Sequence, residues 1–451
     1  MGAKLVTQYV CQGCGASSPK WLGRCPGCGG WDLLVEEIVE GFGKTRSHRS
    51  PPAATMGLNE FDDLDLERLG SGIPVLDRVV GGGLVPGSTV LLAGEPGIGK
   101  STLLLQLADG LDSQGLGVLY VSAEESGRQL RLRADRLGCR AKDLQVAAEN
   151  TLEPILETIA GKQLSALLVD SIQAMKSQDL ESPPGSVSQV RHVANRLVEF
   201  CKRSDTTLIL VGHVTKEGAV AGPKSLEHIV DTVLSFEGDS TAEYRILRAT
   251  KNRFGPAGEV AMFEMTDSGL RPVEDPSRIL LSRRRHDAPG SAVTSSLQGL
   301  RPLLVEVQAL VHHTNFPAPR RMSLGCDPNR VVLLVAVLER FGGLSYGERD
   351  IFVNVVGGLS LREPAADLAI CAALASAQKD RPLPDHTVFV GEVGLLGEVR
   401  PVSRLEVRLR EAAHLGYNRA LIPKLEHGIG EVGLELQELE TLEDLLAILK
   451  S

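Results

Sequence analysis

Residues 94–101, with the sequence GEPGIGKS, match the pattern G-x4-G-K-[ST]. The apolar run 89–93 precedes them and an apolar helical pattern over 101–111 follows, so the motif joins a strand to a helix. In that context the glycines let backbone N–H groups approach a phosphate, and the helix N-terminus adds a favourable potential. The sequence therefore predicts a phosphate-binding loop (P-loop) made of Gly94, Glu95, Pro96, Gly97, Ile98, Gly99, Lys100, Ser101 and Thr102.

A P-loop also predicts the residues that hold the nucleotide and its metal ion. Lys100 is expected to bind the β- and γ-phosphates, and the Ser101 hydroxyl is expected to hold Mg2+. The apolar run 166–169 ends in Asp170, whose carboxylate would hold Mg2+ through water. An N-cap is the alternative role for an Asp after an apolar strand, and it is the weaker one beside a P-loop. We therefore expect ATP and Mg2+ as cofactors.

Hydrolysis further requires a residue that orients the attacking water. An AAA+ motor would carry Asp-Glu where this chain has Asp170-Ser171, so the glutamate must lie elsewhere. Glu124 and Glu125 follow the strand after the P-loop helix. This position resembles the place where RecA-like ATPases carry their catalytic glutamate. Glu124 matches the family position, and Glu125, one residue away on a turn, remains the alternative.

The first 28 residues contain two C-x2-C pairs separated by ten residues. Glycines between and after the cysteines allow tight turns, and four thiolates in a tetrahedron suit Zn2+ in a closed, structural site. Ligand spacing alone leaves a rubredoxin-type iron centre as an alternative metal site. The predicted metal ligands are Cys11, Cys14, Cys25 and Cys28.

Both tryptophans of the chain, Trp21 and Trp31, lie beside these cysteines. They could stack on nucleic-acid bases or on a protein partner. Because a very small module often builds its core from large aromatic residues, we expect them to form that core.

Together the four-cysteine module, GEPGIGKST, LLVDSIQ and the pentapeptide 251–255 (KNRFG) resemble the bacterial RadA (Sms) family of DNA repair and recombination proteins. The resemblance covers essentially the whole chain. It implies ssDNA-stimulated ATP hydrolysis, branch migration after strand invasion by a RecA-type recombinase, and a homo-oligomer, expected to be a hexameric ring. The implied partners are single-stranded and branched DNA, the recombinase and further copies of the chain.

The resemblance also implies roles for single residues. His213, at the end of a strand, matches a polar γ-phosphate sensor that couples nucleotide to DNA. Lys251 and Arg253 match a basic pair that reaches into the ATP site of a neighbouring subunit, where a cation would offset charge on the transferred phosphoryl group.

In RecA-like proteins, DNA is contacted by loops that follow these strands, here about 175–190 and 214–225. Both segments are rich in Gly, Pro and Ser, and we expect flexible loops that a ligand orders. The candidate phosphate contacts are Lys176, Arg191, Lys216 and Lys224, with residues 283–286 (RRRH) as a further candidate. Ordinary solvated surface charge is the alternative for each of them.

The C-terminal block resembles the proteolytic domain of Lon proteases, through PAAD at 364–367 and the GEV segments at 391–393 and 397–399. Lon proteases use a Ser–Lys dyad, and the matching positions here hold Ala365 and Glu406. These side chains cannot perform that chemistry, so an inactive protease domain is expected. A DNA-lining role is open for its basic residues Arg320, Arg321, Arg330, Arg400, Arg404, Arg408 and Arg410.

Strand and helix patterns alternate along the rest of the chain, which predicts an α/β fold with a mostly parallel sheet covered on both faces. The expected order is a zinc finger (1–40), a linker (41–56), a RecA-like P-loop ATPase (57–275), a second linker (276–296) and a Lon-protease-like α/β domain (297–451).

Composition adds little to this picture. The net charge of −9 suggests no nucleic-acid partner and excludes none, because a local basic surface can bind DNA while the sum is negative. Apolar runs are too short for a membrane span and no secretory signal is visible, so a soluble cytoplasmic protein is expected. The alternatives to a DNA-dependent ATPase are an ATP-dependent protease or unfoldase, which Ala365 and Glu406 disfavour, and a nucleotide-gated adaptor, which Lys100, Asp170 and Glu124 disfavour.

Overall fold

The computed structural model describes residues 5–11, 16–27, 29–40, 67–141, 144–213, 226–237, 244–282, 284–299, 301–314, 316, 318–361 and 363–449. Cys14, Cys28, Lys216, Lys224, Arg283 and the linker 41–56 lie outside these residues. The chain forms two compact units, one of residues 1–240 with 245–272 and one of residues 241–244 with 273–451. None of the helices in the described ranges has both the length and the apolar character needed to cross a membrane.

The N-terminal module is a small antiparallel sheet. Its strands are β1 (Leu5–Cys11), β2 (Ser17–Ser18) and β3 (Leu34–Glu40), in the order β2-β1-β3. The buried side chains of Cys11, Cys25 and Leu34 form its core. The tryptophans do not, because Trp21 and Trp31 are 55% and 71% exposed. The expectation of a tryptophan core was therefore wrong: the two thiol side chains and a leucine fill the little space that so small a sheet encloses.

The following segment folds around a sheet in the order β12-β11-β10-β9-β4-β8-β7-β5-β6. Its strands are β4 (Thr89–Gly94), β5 (Val118–Ser122), β6 (Gln145–Ala147), β7 (Ala166–Asp170), β8 (Thr207–His213), β9 (Thr232–Glu237), β10 (Tyr244–Asn252), β11 (Val260–Thr266) and β12 (Gly269–Val273). Its helices are α1 (Pro74–Val80), α2 (Lys100–Asp112), α3 (Gly127–Leu137), α4 (Leu152–Ile159) and α5 (Val187–Arg203).

Strands β9, β4, β8, β7, β5 and β6 are parallel to their neighbours, and β10 runs antiparallel to β9. Alternate residues of β4 belong to different cores. Val90 and Leu92 pack in the core that contains α2, whereas Leu91 and Ala93 pack in the core that contains α5. The predicted parallel sheet with two covered faces is therefore confirmed, and the P-loop leaves β4 at the carboxyl edge of this sheet.

The C-terminal unit is built on a mixed sheet in the order β15-β16-β14-β13-β17-β20-β21. Its strands are β13 (Ser291–Gln298), β14 (Arg301–His313), β15 (Arg321–Leu324), β16 (Arg349–Val355), β17 (Thr387–Phe389), β20 (Arg419–Pro423) and β21 (Glu435–Leu439), with β18 (Glu392–Val393) and β19 (Val399–Arg400) as a separate pair. Its helices are α6 (Pro276–Leu281), α7 (Pro328–Gly342), α8 (Asp367–Lys379), α9 (Leu405–His414) and α10 (Leu442–Ile448).

Residues 276–296, predicted as a linker, differ from that expectation. Asp275 accepts a hydrogen bond from the Arg278 N–H and caps α6, which Pro276 begins and whose Leu280 is buried. Strand β13 then starts at Ser291 and pairs with β14 over eight positions. Basic and small residues made this segment look like a linker, but the sequence ILL and the strand that follows give it apolar residues to bury.

Candidate nucleotide site

The P-loop geometry depends on glycines at two positions. Gly94 ends β4, and a Cβ there would lie 2.8 Å from the Phe236 carbonyl oxygen, so no side chain fits. Gly99 precedes α2 with φ +114°, a conformation that side chains disfavour. Between them Glu95, Pro96 and Gly97 are exposed and Ile98 is buried. The loop thus opens its backbone toward solvent at the N-terminus of α2, as phosphate binding requires.

Lys100 is the buried cation of the site. Its Nζ donates to the carbonyl oxygens of Gly94 (2.9 Å) and Glu95 (2.8 Å), which holds the ammonium group over the loop. Burial lowers the pKa of Lys100 to about 8, while the carboxylates of Asp170 and Glu124 act in the opposite direction. The cation is therefore held by the P-loop backbone and interacts with the predicted metal-holding carboxylate of Asp170 and the predicted catalytic carboxylate of Glu124. Ser101 and Thr102, half-buried, follow it in the first turn of α2.

Asp170 ends β7 and is held by the neighbouring strand. The hydroxyl of Tyr120, on β5, donates to Asp170 Oδ2 at 2.8 Å, and both side chains are buried. Burial and the adjacent carboxylate raise the pKa of Tyr120 well above its usual value, so the phenol stays protonated and stays a donor. One oxygen of the carboxylate is fixed and the side chain cannot rotate freely, which suits a group that orients metal-bound water.

Glu124 lies beside two polar side chains at the same edge. Ser171 Oγ donates to Glu124 Oε1, and His213 Nε2 lies 3.4 Å from that oxygen. The His213 contact lowers the pKa of Glu124 to about 2, with help from Ser171 and against the effect of burial. Glu125 instead pairs with Arg133 at 2.6 Å. The two glutamates therefore have different partners: Glu124 contacts Ser171 and His213, whereas Glu125 forms an ion pair with Arg133 on α3.

Three residues of this site were missed by the sequence reasoning. Ser171 and Tyr120 were not assigned roles, and neither was Gln173, whose Nε2 donates to the His213 carbonyl oxygen at 3.4 Å. The segment 166–173 (ALLVDSIQ) contained the only available signal, because polar residues directly after a buried parallel strand reach the carboxyl edge of the sheet. No pattern pointed to Tyr120, which lies inside an apolar strand.

Lys251 and Arg253 lie far from this P-loop. Asn252 pairs with Thr232, and Thr232 pairs with Val90, whereas Gly94 pairs with Phe236 at the other end of β9. The two basic residues are thus at the amino edge, about 15 Å along the strands from the P-loop. Lys251 Nζ donates to the carbonyl oxygens of Glu227 (2.6 Å) and Val230 (2.7 Å).

Arg253 is held by the buried carboxylate of Asp231, at 3.1 Å between Nη1 and Oδ1. The other oxygen of Asp231 accepts hydrogen bonds from the backbone N–H and the hydroxyl of Thr89, the first residue of β4. Asp231 therefore anchors Arg253 to the start of the P-loop strand.

Two of the predicted DNA-contact residues, Lys176 and Arg191, belong to the described part of the chain. Lys176 is exposed, and its backbone bonds to Asn150 and Leu152, whereas Arg191 lies on α5. Residues 187–190, predicted as loop, are the start of α5. Buried Gln189 donates through Nε2 to the carbonyl oxygens of Ser177, Leu180 and Ser182. The loop assignment was therefore wrong for residues 187–190, and the Gln189 amide joins the start of α5 to the segment 177–182.

Two of the predicted metal ligands are described, and they fit a metal site. Cys11 and Cys25 are both buried in one cluster, and the Gly27 N–H points at Cys25 Sγ, 3.3 Å away. The hydrogen bond from Gly29 N–H to the Cys25 carbonyl oxygen (2.9 Å) closes a tight turn around that sulfur. Amides directed at a sulfur favour its thiolate form, which is the form that binds Zn2+.

In the C-terminal unit the positions that match the Lon dyad carry no catalytic pair. Ala365 is buried, and Glu406 pairs with Arg410 on the surface of α9. Arg408, a candidate DNA contact, is fully buried and pairs with Glu363, so that expectation was wrong. The same holds for Arg284, which is buried and donates to Ser291 Oγ at 3.1 Å.

Family models match three parts of the chain. Residues 9–36 match the rubredoxin metal binding domain, residues 58–219 match an AAA domain, and residues 331–426 match subunit ChlI of Mg-chelatase. These matches agree with the order of modules expected from the sequence.

Several curated proteins are similar over nearly the full chain, each described as DNA repair protein RadA. The Aquifex aeolicus protein is 47% identical, over 98% of this chain and 99% of its own. Those of Bacillus subtilis (47%) and Pseudomonas aeruginosa (48%) each align over 93% of both chains. A solved KaiC-like protein from Pyrococcus horikoshii covers 46% of this chain at 24% identity, with a TM-score of 0.40.

Proposed function

Because the chain belongs to the RadA family of DNA repair proteins, we propose that it is a DNA-dependent ATPase that processes recombination intermediates. Its AAA match implies ATP hydrolysis in general terms. In the finer proposal, the protein is a ring-shaped, helicase-like motor, expected to be hexameric. It moves on single-stranded DNA and promotes branch migration after a RecA-type recombinase has invaded a duplex.

The observation that carries the proposal is the convergence of four side chains at the carboxyl edge of one sheet. Lys100, Glu124, Asp170 and His213 lie at the ends of four different strands, β4, β5, β7 and β8. The Lys100 ammonium group interacts with the carboxylates of Asp170 and Glu124, and His213 contacts Glu124. Burying Lys100 costs desolvation free energy, and a buried lysine beside the carboxylates of Asp170 and Glu124 at a P-loop is typical of a functional site.

Each of these groups has a role in phosphoryl transfer. Lys100 is to neutralise charge on the β- and γ-phosphates, and Ser101 with Asp170 is to hold Mg2+, which supplies further charge compensation. Glu124 is to accept a hydrogen bond from the attacking water. Its low pKa keeps it ionised at neutral pH, and its Oε1 contact with Ser171 fixes the carboxylate.

His213 is proposed to couple nucleotide state to DNA. It lies at the end of β8, where one contact reaches Glu124 and where the chain enters the predicted DNA segment 214–225. Its Nδ1 is buried and has no hydrogen-bond partner among the described residues, so a further polar contact is available to the ring.

Lys251 and Arg253 are proposed to complete the ATP site of a neighbouring copy. Their position at the amino edge, about 15 Å from their own P-loop, supports action in trans rather than in cis. The Arg253 side chain is exposed although its partner Asp231 is buried, so the guanidinium group can leave this contact. A site assembled from two chains implies that the active form is an oligomer.

The remaining modules have supporting roles in this proposal. The N-terminal module is to bind Zn2+ through Cys11, Cys14, Cys25 and Cys28 as a structural metal. The C-terminal unit is to be proteolytically inactive and to serve as a scaffold, since Ala365 offers no nucleophile.

The test is ATP hydrolysis by the purified protein with and without single-stranded DNA, with Lys100→Ala as the control. We expect DNA to stimulate hydrolysis and the variant to be inactive while it keeps its native circular dichroism spectrum. Hydrolysis that single-stranded DNA leaves unchanged would contradict the motor. Sedimentation that finds only monomers with ATP analogue and DNA would contradict the role of Arg253 in trans.

A further inference from the structure

The N-terminal module exposes two indole rings that contribute little to its own core. Trp21 and Trp31 approach the same backbone position: a Cβ placed on Gly23 would lie 3.7 Å from Trp21 Cη2 and 3.9 Å from Trp31 Cζ3. The six-membered rings of both tryptophans therefore lie beside Gly23, and we call these two residues the indole pair. Since 71% of Trp31 is accessible, ring faces as well as edges reach solvent.

A rigid turn holds the indole pair. Arg24 and Trp31 form an antiparallel bridge, and the Asp32 N–H donates to the Gly23 carbonyl oxygen at 2.9 Å. Inside this bridge Cys25 N–H donates to the Gly30 carbonyl oxygen at 2.8 Å. Trp31 thus lies on the hairpin that carries the predicted metal ligand Cys25, and Trp21 lies two residues before the start of this hairpin. Rings presented on such a turn lose little conformational freedom when a ligand stacks on them.

Cations accompany the rings. The Arg24 guanidinium carbon lies 5.9 Å from the centroid of a Trp31 ring, and its Nε donates to the Gly29 carbonyl oxygen, which fixes the group there. Lys20, exposed, directly precedes Trp21. Asp32, also exposed, is the adjacent opposing charge. Flat aromatic faces next to positive charge are the combination by which proteins hold unpaired bases and the phosphates between them.

We infer that the indole pair is a stacking platform for single-stranded nucleic acid. Unpaired bases stack on Trp21 and Trp31, and the adjoining phosphates lie near Lys20 and Arg24. Stacking is tolerant of sequence because every base has a π-face, which suits a protein that acts on many sequences. The inference rests on the proposed function in that it takes DNA as the substrate. It adds a DNA contact outside the ATPase loops.

The experiment uses the fact that the chain has two tryptophans, and both belong to the pair. Tryptophan fluorescence of the full-length protein therefore reports this surface alone. Titration with oligothymidylate is expected to quench the fluorescence, because a stacked base quenches an indole. Trp31→Ala should weaken binding of the oligonucleotide about tenfold, and Trp31→Phe should keep most of the affinity because a ring remains.

Two controls accompany this variant. Phe316→Ala removes another exposed aromatic residue with an arginine over its ring, Arg320 at 3.9 Å, and should leave the quenching of tryptophan fluorescence by oligothymidylate unchanged. Metal content equal to that of the unsubstituted protein shows that the module is folded. If Trp31→Ala loses metal, Arg24→Ala replaces it, and the slope of log affinity against log salt should then fall by about one.

ATP hydrolysis in the same samples separates the two proposals. If DNA stimulates the ATPase but quenches no fluorescence, or if Trp31→Ala with intact metal binds DNA like the unsubstituted protein, the platform is wrong and the proposed function stands. If DNA neither binds nor stimulates, the proposed function itself fails. A fluorescence change produced by a recombinase but not by oligonucleotide would identify the indole pair as a protein contact and overturn the inference.

Discussion

Both compact units bury charged side chains, but the two sets differ in how their hydrogen bonds are used. In the C-terminal unit the Arg408 guanidinium donates to Glu363 through two nitrogens and to the carbonyl oxygens of Ser295 and Ser403. Around the P-loop, Lys100 and Asp170 are also buried, yet they do not pair into a closed unit. Each is held by one or two neutral partners, the P-loop carbonyls and the Tyr120 hydroxyl.

This difference separates a structural use of charge from a functional one. A guanidinium and a carboxylate that satisfy each other offer nothing to a ligand, and their effect is to fix α9 against β13. Charged groups that are held by neutral partners are not neutralised by each other, so their electrostatic interactions remain available to a bound ligand. Burial of a charged side chain is therefore a poor indicator of a functional site. The arrangement of its hydrogen-bond partners is a better indicator.

The largest effect is expected from breaking the buried pair of Arg408 and Glu363. Arg408→Met leaves the Glu363 carboxylate without its cation and should cost the C-terminal unit about 3 kcal/mol of stability. Amide hydrogen exchange of β13 and β14 measures that loss. Arg410→Met, in the exposed pair with Glu406 on the same helix, is the matched control and should cost under about 1 kcal/mol. Equal exchange in the two variants would show that the buried pair is not structural.

The next largest effect is expected from Glu124, at the nucleotide site. Glu124→Gln keeps the shape of the side chain but removes its charge, and should lower kcat about 10²-fold while leaving ATP affinity intact. Single-turnover hydrolysis and ATP-analogue binding measure the two quantities. Glu125→Gln, next to it but paired with Arg133, should remain near the unsubstituted rate. The reverse result would assign the water to Glu125.

A pH effect of about tenfold is expected from Lys100. Its pKa of about 8 lies below the usual 10.5, so above pH 8 a growing fraction of Lys100 is neutral in the nucleotide-free protein and must take up a proton to bind phosphate. Affinity for an ATP analogue should fall up to about tenfold between pH 8 and 9. Lys100→Arg should show a flat profile, because a guanidinium stays protonated.

The same shift affects folding with the opposite sign. Since the unfolded lysine binds its proton more tightly, the cost of burying Lys100 is fully present below pH 8 and is relieved as pH rises from 8 toward 10.5. An ATP affinity that stays constant across pH 8 would contradict the lowered pKa of Lys100.

The smallest effect is expected from Ser171→Ala. The Glu124 carboxylate loses one hydrogen-bond donor but keeps its charge and the His213 contact, so kcat should fall about fivefold, in line with about 1 kcal/mol for one hydrogen bond. ATP affinity should not change, and Ser171→Thr should restore the rate. A change confined to ATP affinity would instead give Ser171 a role in nucleotide binding.

Sequence patterns predicted the fold well where they were long or periodic. The alternation of apolar runs with helical patterns identified β4, β5, β7 and β8, and the residues after those strands had to meet at one edge. That geometric necessity is why Lys100, Asp170, Glu124 and His213 could be selected together. Their roles stay predictions.

Other features had no local signal. The burial of Arg408 depends on Glu363, which lies 45 positions away in the chain, so the helix pattern alone suggested a solvated face. The turn over residues 177–182 is bonded to the Gln189 amide, which lies 7 to 12 positions away in the chain. For Trp21 and Trp31, aromatic content predicted a core that the small sheet has no room to enclose.

The amino-edge position of Lys251 and Arg253 has a genetic consequence. In a ring of the proposed kind, a chain with Lys100→Ala spoils its own site, whereas a chain with Arg253→Ala spoils that of its neighbour. Mixed rings of these two inactive proteins contain some interfaces with both defects and others with none, so mixing should restore part of the activity. In a cell that makes the unsubstituted protein together with the Arg253→Ala protein, the variant would spoil the sites of unsubstituted neighbours, so the loss of Arg253 would behave as a dominant trait.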